Sequence, residues 1–215
     1  MRLVRHGLII HSDMKTEIRT LHVVSRWLFL LAALPACAWG QGWSLREADW
    51  GSMTLGIVSG IAAHEAGHVA VAKSKGYRVS HEGLAITYPG VEFTRSGQLQ
   101  LASAGYQTQW VLSELVLRDD SWQERKTPPG DFGAGIVLSS IGVSLAYLTV
   151  LKNQYNGDVY GVSRASGMSH DRAALLMAVP AALDAWRLFG DEVPGWVPNL
   201  SVMGKSLAMA WIWTY

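Results

Sequence analysis

The sequence predicts a mostly α-helical, polytopic membrane bundle of about four to six apolar helices with one small β hairpin. Three observations predict it. Charged residues make up 16% of the 215-residue chain and hydrophobic residues 49%, against a usual charged share of about 25%. The charges gather in 73–82, 114–131 and 184–192 and leave long stretches between them nearly free of charge. Residues 132–151 form a run of twenty residues without a charge, and at about 1.5 Å per residue such a helix matches a hydrocarbon core roughly 30 Å thick. A chain this short has little mass with which to bury that helix in water. The mean hydropathy of +0.15 is modest only because apolar helices are averaged with polar loops.

Taken from the N-terminus, residues 1–26 form a polar arm carrying Arg2, Arg5, Lys15, Arg19 and Arg26, with Met14 as an alternative start. Residues 27–39 read as a signal sequence or a first membrane anchor: the apolar run 27–38 follows positive charge and closes on Ala36-Cys37-Ala38. A single membrane-embedded domain is expected over 51–215. Its first helix is the Gly- and Ala-rich stretch 53–73, where small residues permit close helix packing. Residues 76–98 carry β-branched and aromatic residues with Gly and Pro punctuation and predict two short strands or a hairpin. Residues 99–117 return to a helical pattern with Gln107, Gln109 and Glu114 on a polar side, and Pro128-Pro129-Gly130 breaks the chain after it.

Beyond the uncharged run, a polar loop is expected through residue 171, with Asn156-Gly157-Asp158 as a turn and His170-Asp171 capping the helix that follows. That helix, 173–189, contains Pro180 and Asp184. The chain ends in Trp211, Trp213 and Tyr215, which suit an interfacial aromatic belt. Lys73, Lys75, Arg78, Lys152, Arg164 and Arg172 can share the side of Arg19 and Arg26 after alternating spans. An integral, multi-pass location in a bacterial inner membrane or its equivalent follows, with the lipid bilayer as a partner. Eighteen basic and seventeen acidic residues give a net charge of +1, so no basic field exists to hold nucleic acid. The single cysteine, Cys37, excludes an internal disulfide and a zinc ribbon, so any metal must use His, Asp or Glu.

One motif has a sharp chemical meaning: His64-Glu65-Ala66-Gly67-His68. On a helix, positions i and i+4 face the same side, so both imidazoles can bind one Zn2+. The intervening Glu65 can act as general base on water that the metal acidifies toward a pKa of about 7. The flanks IVSGIAA and VAVA are apolar, and two histidines with a carboxylate in such a setting need a shared partner. A catalytic zinc usually takes three protein ligands. For the third, Asp184 leads because it lies alone in an apolar helix, with a salt bridge to Arg187 as its structural alternative; Asp158, Asp171 and His170 are the other candidates.

The stretch GIAAHEAGHVAVAKSKGYRV, with the later Pro180-Ala181-Ala182-Leu183-Asp184-Ala185, resembles the site-2 protease family of intramembrane zinc metalloproteases, as a divergent member. The resemblance spans about 53–190. It implies zinc held by His64, His68 and Asp184, with Glu65 as the catalytic residue. Met177 stands where that family has an asparagine, and Ala185 where it has the glycine after the aspartate. The activity implied is a zinc-dependent intramembrane endopeptidase, in which a Glu-activated water attacks a peptide bond of a membrane-spanning or membrane-anchored polypeptide. The competing readings are a catalytically inactive membrane scaffold that keeps the fold and a secreted, soluble zinc peptidase.

Overall fold

A computed structural model describes residues 42–82, 85–118 and 129–215, all within one compact unit, Ala38–Tyr215. The polar arm, the 27–39 segment and residues 119–128 of the following loop lie outside the described residues. The described part is mostly helical, with seven α-helices and one hairpin. Helix α1 spans Trp50–Ser74, followed by strands β1 (Ser80–Glu82) and β2 (Ala85–Thr87). Helices α2 (Arg95–Ala102), α3 (Ala104–Leu117) and α4 (Asp131–Ala146) come next. Helices α5 (Asp158–Ser166), α6 (His170–Phe189) and α7 (Trp196–Thr214) complete the chain.

Among the described residues two helical stretches, Trp50–Ser74 and Asp131–Leu151, are long and apolar enough to cross a membrane by length and composition, fewer than the four to six expected. They pack on each other through glycine. A Cβ on Gly56 would lie 2.1 Å from the Phe132 carbonyl oxygen, and one on Gly135 would lie 2.2 Å from that of Met53. Only glycine lets the backbones approach this closely, as the small residues of this stretch predict. Asp131 fixes the ends of the pair: its carboxylate accepts from Trp43 Nε1 at 2.9 Å and from the Asp49 backbone N–H at 2.9 Å. Asp49 in turn caps α1 by accepting from Ser52 N at 2.9 Å.

The hairpin expected over 76–98 forms as two three-residue strands, antiparallel, with Ser80 opposite Thr87 and His81 opposite Ile86. The helix expected over 99–117 begins earlier, at Arg95, where Thr94 caps it by accepting from Gly97 N at 3.1 Å. It divides at Ser103, whose hydroxyl donates back to the Leu99 carbonyl at 2.7 Å.

The expected polar loop before residue 171 is not all loop. After Asn156, which adopts φ of 63°, nine residues form α5, ended by Gly167 in the left-handed conformation that glycine favours at a helix C-terminus. The cap of α6 is Ser169, accepting from Arg172 N at 3.3 Å, and His170-Asp171 already belong to the helix. Helix α6 continues through Pro180, and α4 closes with a π-helical turn over Tyr147–Leu151. Two apolar clusters hold the helices. One joins Leu99, Tyr106, Trp110, Val159 and Met177; the other joins Trp43, Met53, Val137, Ala181 and Leu188.

Candidate metal centre

Helix α1 places His64 and His68 one turn apart on one face, both buried. Space for the first ring comes from α3, because a Cβ on Gly105 would lie 2.3 Å from His64 Nε2. The N-terminus of α5 brings Asp158 onto the same point. His64 Nε2 stands 2.9 Å from Asp158 Oδ2, and His68 Nε2 stands 3.3 Å from Asp158 Oδ1. The two Nε2 atoms are 3.3 Å apart.

The outer nitrogens are committed elsewhere. His68 Nδ1 donates to the Leu101 carbonyl at 2.8 Å, and His64 Nδ1 donates to Gln109 Oε1 at 3.1 Å. Both Nε2 atoms converge on the carboxylate, as donors when an imidazole is doubly protonated and as metal ligands when it is not. Positive charge stabilises this arrangement, and a proton on an imidazole or a metal ion can supply it. Zinc takes such imidazole and carboxylate ligands, and the candidate ligand atoms of His64, His68 and Asp158 all lie within 4.8 Å of one another. Acceptors on the outer nitrogens are also the arrangement that orients metal-bound imidazoles. Burial raises the Asp158 pKa, but the charges and hydrogen bonds of the neighbouring His68 and His64 outweigh it and hold the carboxyl well below the usual carboxylate range.

A cleft of about 410 Å³ opens beside this point, and Glu65, His68 and Asp158 line it. Glu65 is exposed there and makes no hydrogen bond or ion pair among the described residues. Tyr147, in the π-helical turn, presents its hydroxyl oxygen to the Asp158 backbone N–H at 3.1 Å and faces the cleft. Tyr88, at the end of the hairpin, lines it too. Burial, then the carboxylates of Asp158 and Glu65, push its phenol up to about 12, so it carries its proton at neutral pH.

Asp184, expected as the third ligand, sits elsewhere. Its Oδ1 accepts from Ser201 at 2.8 Å and from Arg187 at 3.2 Å, and its Oδ2 accepts from Ser113 at 2.8 Å and Lys205 at 2.6 Å. Glu114 closes the group, accepting from Arg187 and from Lys205, each at 2.7 Å. The lone carboxylate of the apolar helix did require a partner, and two cations meet that need; the position beside the histidines is filled by Asp158. The remaining candidates are also placed apart: His170 Nδ1 lies 2.7 Å from Asn153 Oδ1, and Asp171 pairs with Lys152. Met177 is buried in the apolar cluster with Tyr106 and Trp110.

The motif identified the two imidazoles, whereas Gln109 carried only the weaker signal of an amide on a largely apolar helix. Asp158 is preceded by Asn156-Gly157 and starts a short segment bounded by Gly157 and Gly167; that punctuation is a helix signal hidden in polar sequence. No protein family matches this chain. No curated protein matches it, and no solved structure does.

Proposed function

We propose that this chain is a zinc-dependent endopeptidase that cleaves membrane-spanning or membrane-anchored polypeptides. The observation that carries the reading is the convergence of Asp158, from a helix distant in sequence, on the two Nε2 atoms of the HEAGH helix. His64, His68 and Asp158 would hold the metal, leaving one tetrahedral position open. Bound zinc supplies a Lewis acid that polarises the scissile carbonyl and acidifies water.

The chain's own residues supply the rest. Glu65, uncommitted and facing the cleft, takes a proton from water as its oxygen bonds to the carbonyl carbon, then delivers that proton to the amine as the C–N bond breaks. Tyr147 accepts from the Asp158 N–H, so its own proton is left to donate to the substrate's carbonyl oxygen. Tyr88, protonated at neutral pH, is a second donor on the wall.

The membrane setting rests on where apolar surface remains. Leu55 and Val58 on α1, Leu115 on α3, Leu175 and Val179 on α6 and Leu207 on α7 are each more than half exposed. Large apolar side chains exposed on several helices are what lipid covers and water does not favour. His64 lies about 21 Å along α1 from Trp50, which is within the depth of a bilayer core. The resemblance to site-2 proteases is consistent with this setting through the HEAGH helix, although the third ligand comes from a different helix than that family's pattern implies.

Zinc stoichiometry of the detergent-purified chain after a mild chelator wash tests the reading. About one zinc per chain is expected from a single three-ligand site, retained in Glu65→Gln and lost in His68→Ala and Asp158→Ala. Zinc kept by Asp158→Ala but lost by Asp184→Ala would sink this site. With zinc in place, loss of cleavage in Glu65→Gln separates an enzyme from a metal-binding scaffold.

A further inference from the structure

The cleft beside the metal centre is walled on one side by α5. Gly157, Tyr160, Gly161 and Arg164 all line it, and their spacing of three and four residues is that of one helix face. Gly161 seats this wall against α2, where a Cβ would lie 2.5 Å from Ala102 Cβ. The face therefore runs from the metal ligand at the start of α5 outward to Arg164 near its end.

Arg164 is the one lysine or arginine among the described residues that line the cleft. It is exposed and makes no hydrogen bond or ion pair among the described residues. Every other arginine or lysine brought close to a carboxylate here is engaged: Arg187 and Lys205 with Asp184 and Glu114, Lys152 with Asp171, Arg118 with Glu114. The side chain of Gln98, on the α2 side of the same cleft, has no partner among the described residues either. A guanidinium is a planar fork suited to bidentate binding of a carboxylate.

We propose that Arg164 is a specificity subsite that binds a carboxylate of the polypeptide substrate. This rests on the proteolytic reading above. Six residues of helix separate Arg164 from Asp158, about 9 Å of rise, and an extended peptide covers that distance in about three residues. The carboxylate is therefore that of an acidic side chain, or of a free C-terminus, about three residues from the scissile bond.

Peptide hydroxamates test this, because the hydroxamate anchors on the metal and fixes the register. The set carries the hydroxamate at either end of an apolar tetrapeptide, with Glu or Gln three residues away, and with a free or amidated C-terminus where that end is available. Binding is measured to the full-length, zinc-loaded Glu65→Gln protein in detergent, with and without Arg164→Gln or Arg164→Lys. In one polarity the acidic peptide is expected to bind about tenfold tighter than its neutral isostere, the lower range for a charge-assisted hydrogen bond. Arg164→Gln abolishes that preference and Arg164→Lys keeps part of it, while zinc content and affinity for the neutral peptide stay unchanged. Whether the Glu side chain or the free C-terminus carries the preference identifies the source of the carboxylate.

Equal affinity across the set, or a preference that survives Arg164→Gln, overturns the subsite and leaves the metal centre standing. Failure of every peptide to bind a protein that does carry zinc also overturns it. A folded protein that carries no zinc overturns the proposed function, and the subsite with it.

Discussion

The chain buries two groups of acid and base side chains, and they are built on opposite principles. Around Asp184 and Glu114, two carboxylates meet two cations, Arg187 and Lys205, and the hydroxyls of Ser113 and Ser201 take up remaining bonds. Inside that group Asp184 is fully buried and Lys205 and Arg187 are 1% exposed, while Arg118 reaches Glu114 from the surface at 3.9 Å. Around Asp158, one carboxylate meets two imidazoles whose protons are held on their far sides. This second group has no lysine or arginine paired with Asp158 among the described residues, only imidazoles, and it opens on a cleft. Burial alone therefore does not distinguish a ligand from a structural ion pair; the charge count around it does.

The largest expected effect comes from breaking the closed group. Lys205→Ala leaves Asp184 and Glu114 sharing one cation in the interior, and removing one partner of a buried pair generally costs about 3–5 kcal/mol. A large drop in thermal midpoint is expected, with zinc per folded chain unchanged. Asp158→Asn should do the reverse, removing zinc while the metal-free protein melts close to its parent. If the two variants exchanged these outcomes, the assignment of the two groups would be inverted.

How much of this was legible follows from where each partner sits in the chain. His64 and His68 are neighbours on one helix turn, so a pentapeptide contains their geometry. The hairpin and the uncharged helix were equally local, since alternation, turn residues and length all act within about twenty residues. Asp184 was correctly seen to need a partner. Yet the partner that completes it, Lys205, is 21 residues away, itself a lone charge in the apolar final helix. Two isolated opposite charges in separate apolar helices, Asp184 and Lys205, are themselves a pairing signal. Asp158 stood behind Asp184 among the candidate third ligands for a different reason. It lies in polar sequence, and only the docking of α5 on α2, through Gly161 against Ala102, buries it.

An intermediate effect sharpens the comparison from inside the open group. Gln109 holds the outer nitrogen of His64 without touching the metal position. Gln109→Leu removes that acceptor and frees the ring's tautomer, and loss of such an outer partner typically weakens metal binding by about 10–100-fold. Competition with a zinc chelator of known affinity measures it. If the cluster were an ordinary hydrogen-bonded group that binds no metal, neither the parent nor Gln109→Leu would compete with the chelator at all.

The smallest effect belongs to an ion pair of the same chemistry placed at the surface. Lys152 bonds Asp171 across from α4 to α6, with Asp171 well exposed. The hydrogen bond and charge of Lys152 lower the carboxyl below its ordinary value. A carboxyl lowered in the folded state adds stability above its unfolded value of about 3.9 and loses it as pH falls through the folded value. Lys152→Met should therefore lower the thermal midpoint slightly at neutral pH, and the gap to the parent should close on acidification below about pH 4. It should also narrow in high salt, because solvent and ions screen an exposed pair. A gap that persisted at low pH would mean that the lysine stem acts through packing. The same titration run on Lys205→Ala should show a large deficit that salt does not narrow, since the buried carboxylates keep their need for a cation. Contrast between those two salt responses separates a closed internal charge group from a surface pair without reference to any activity.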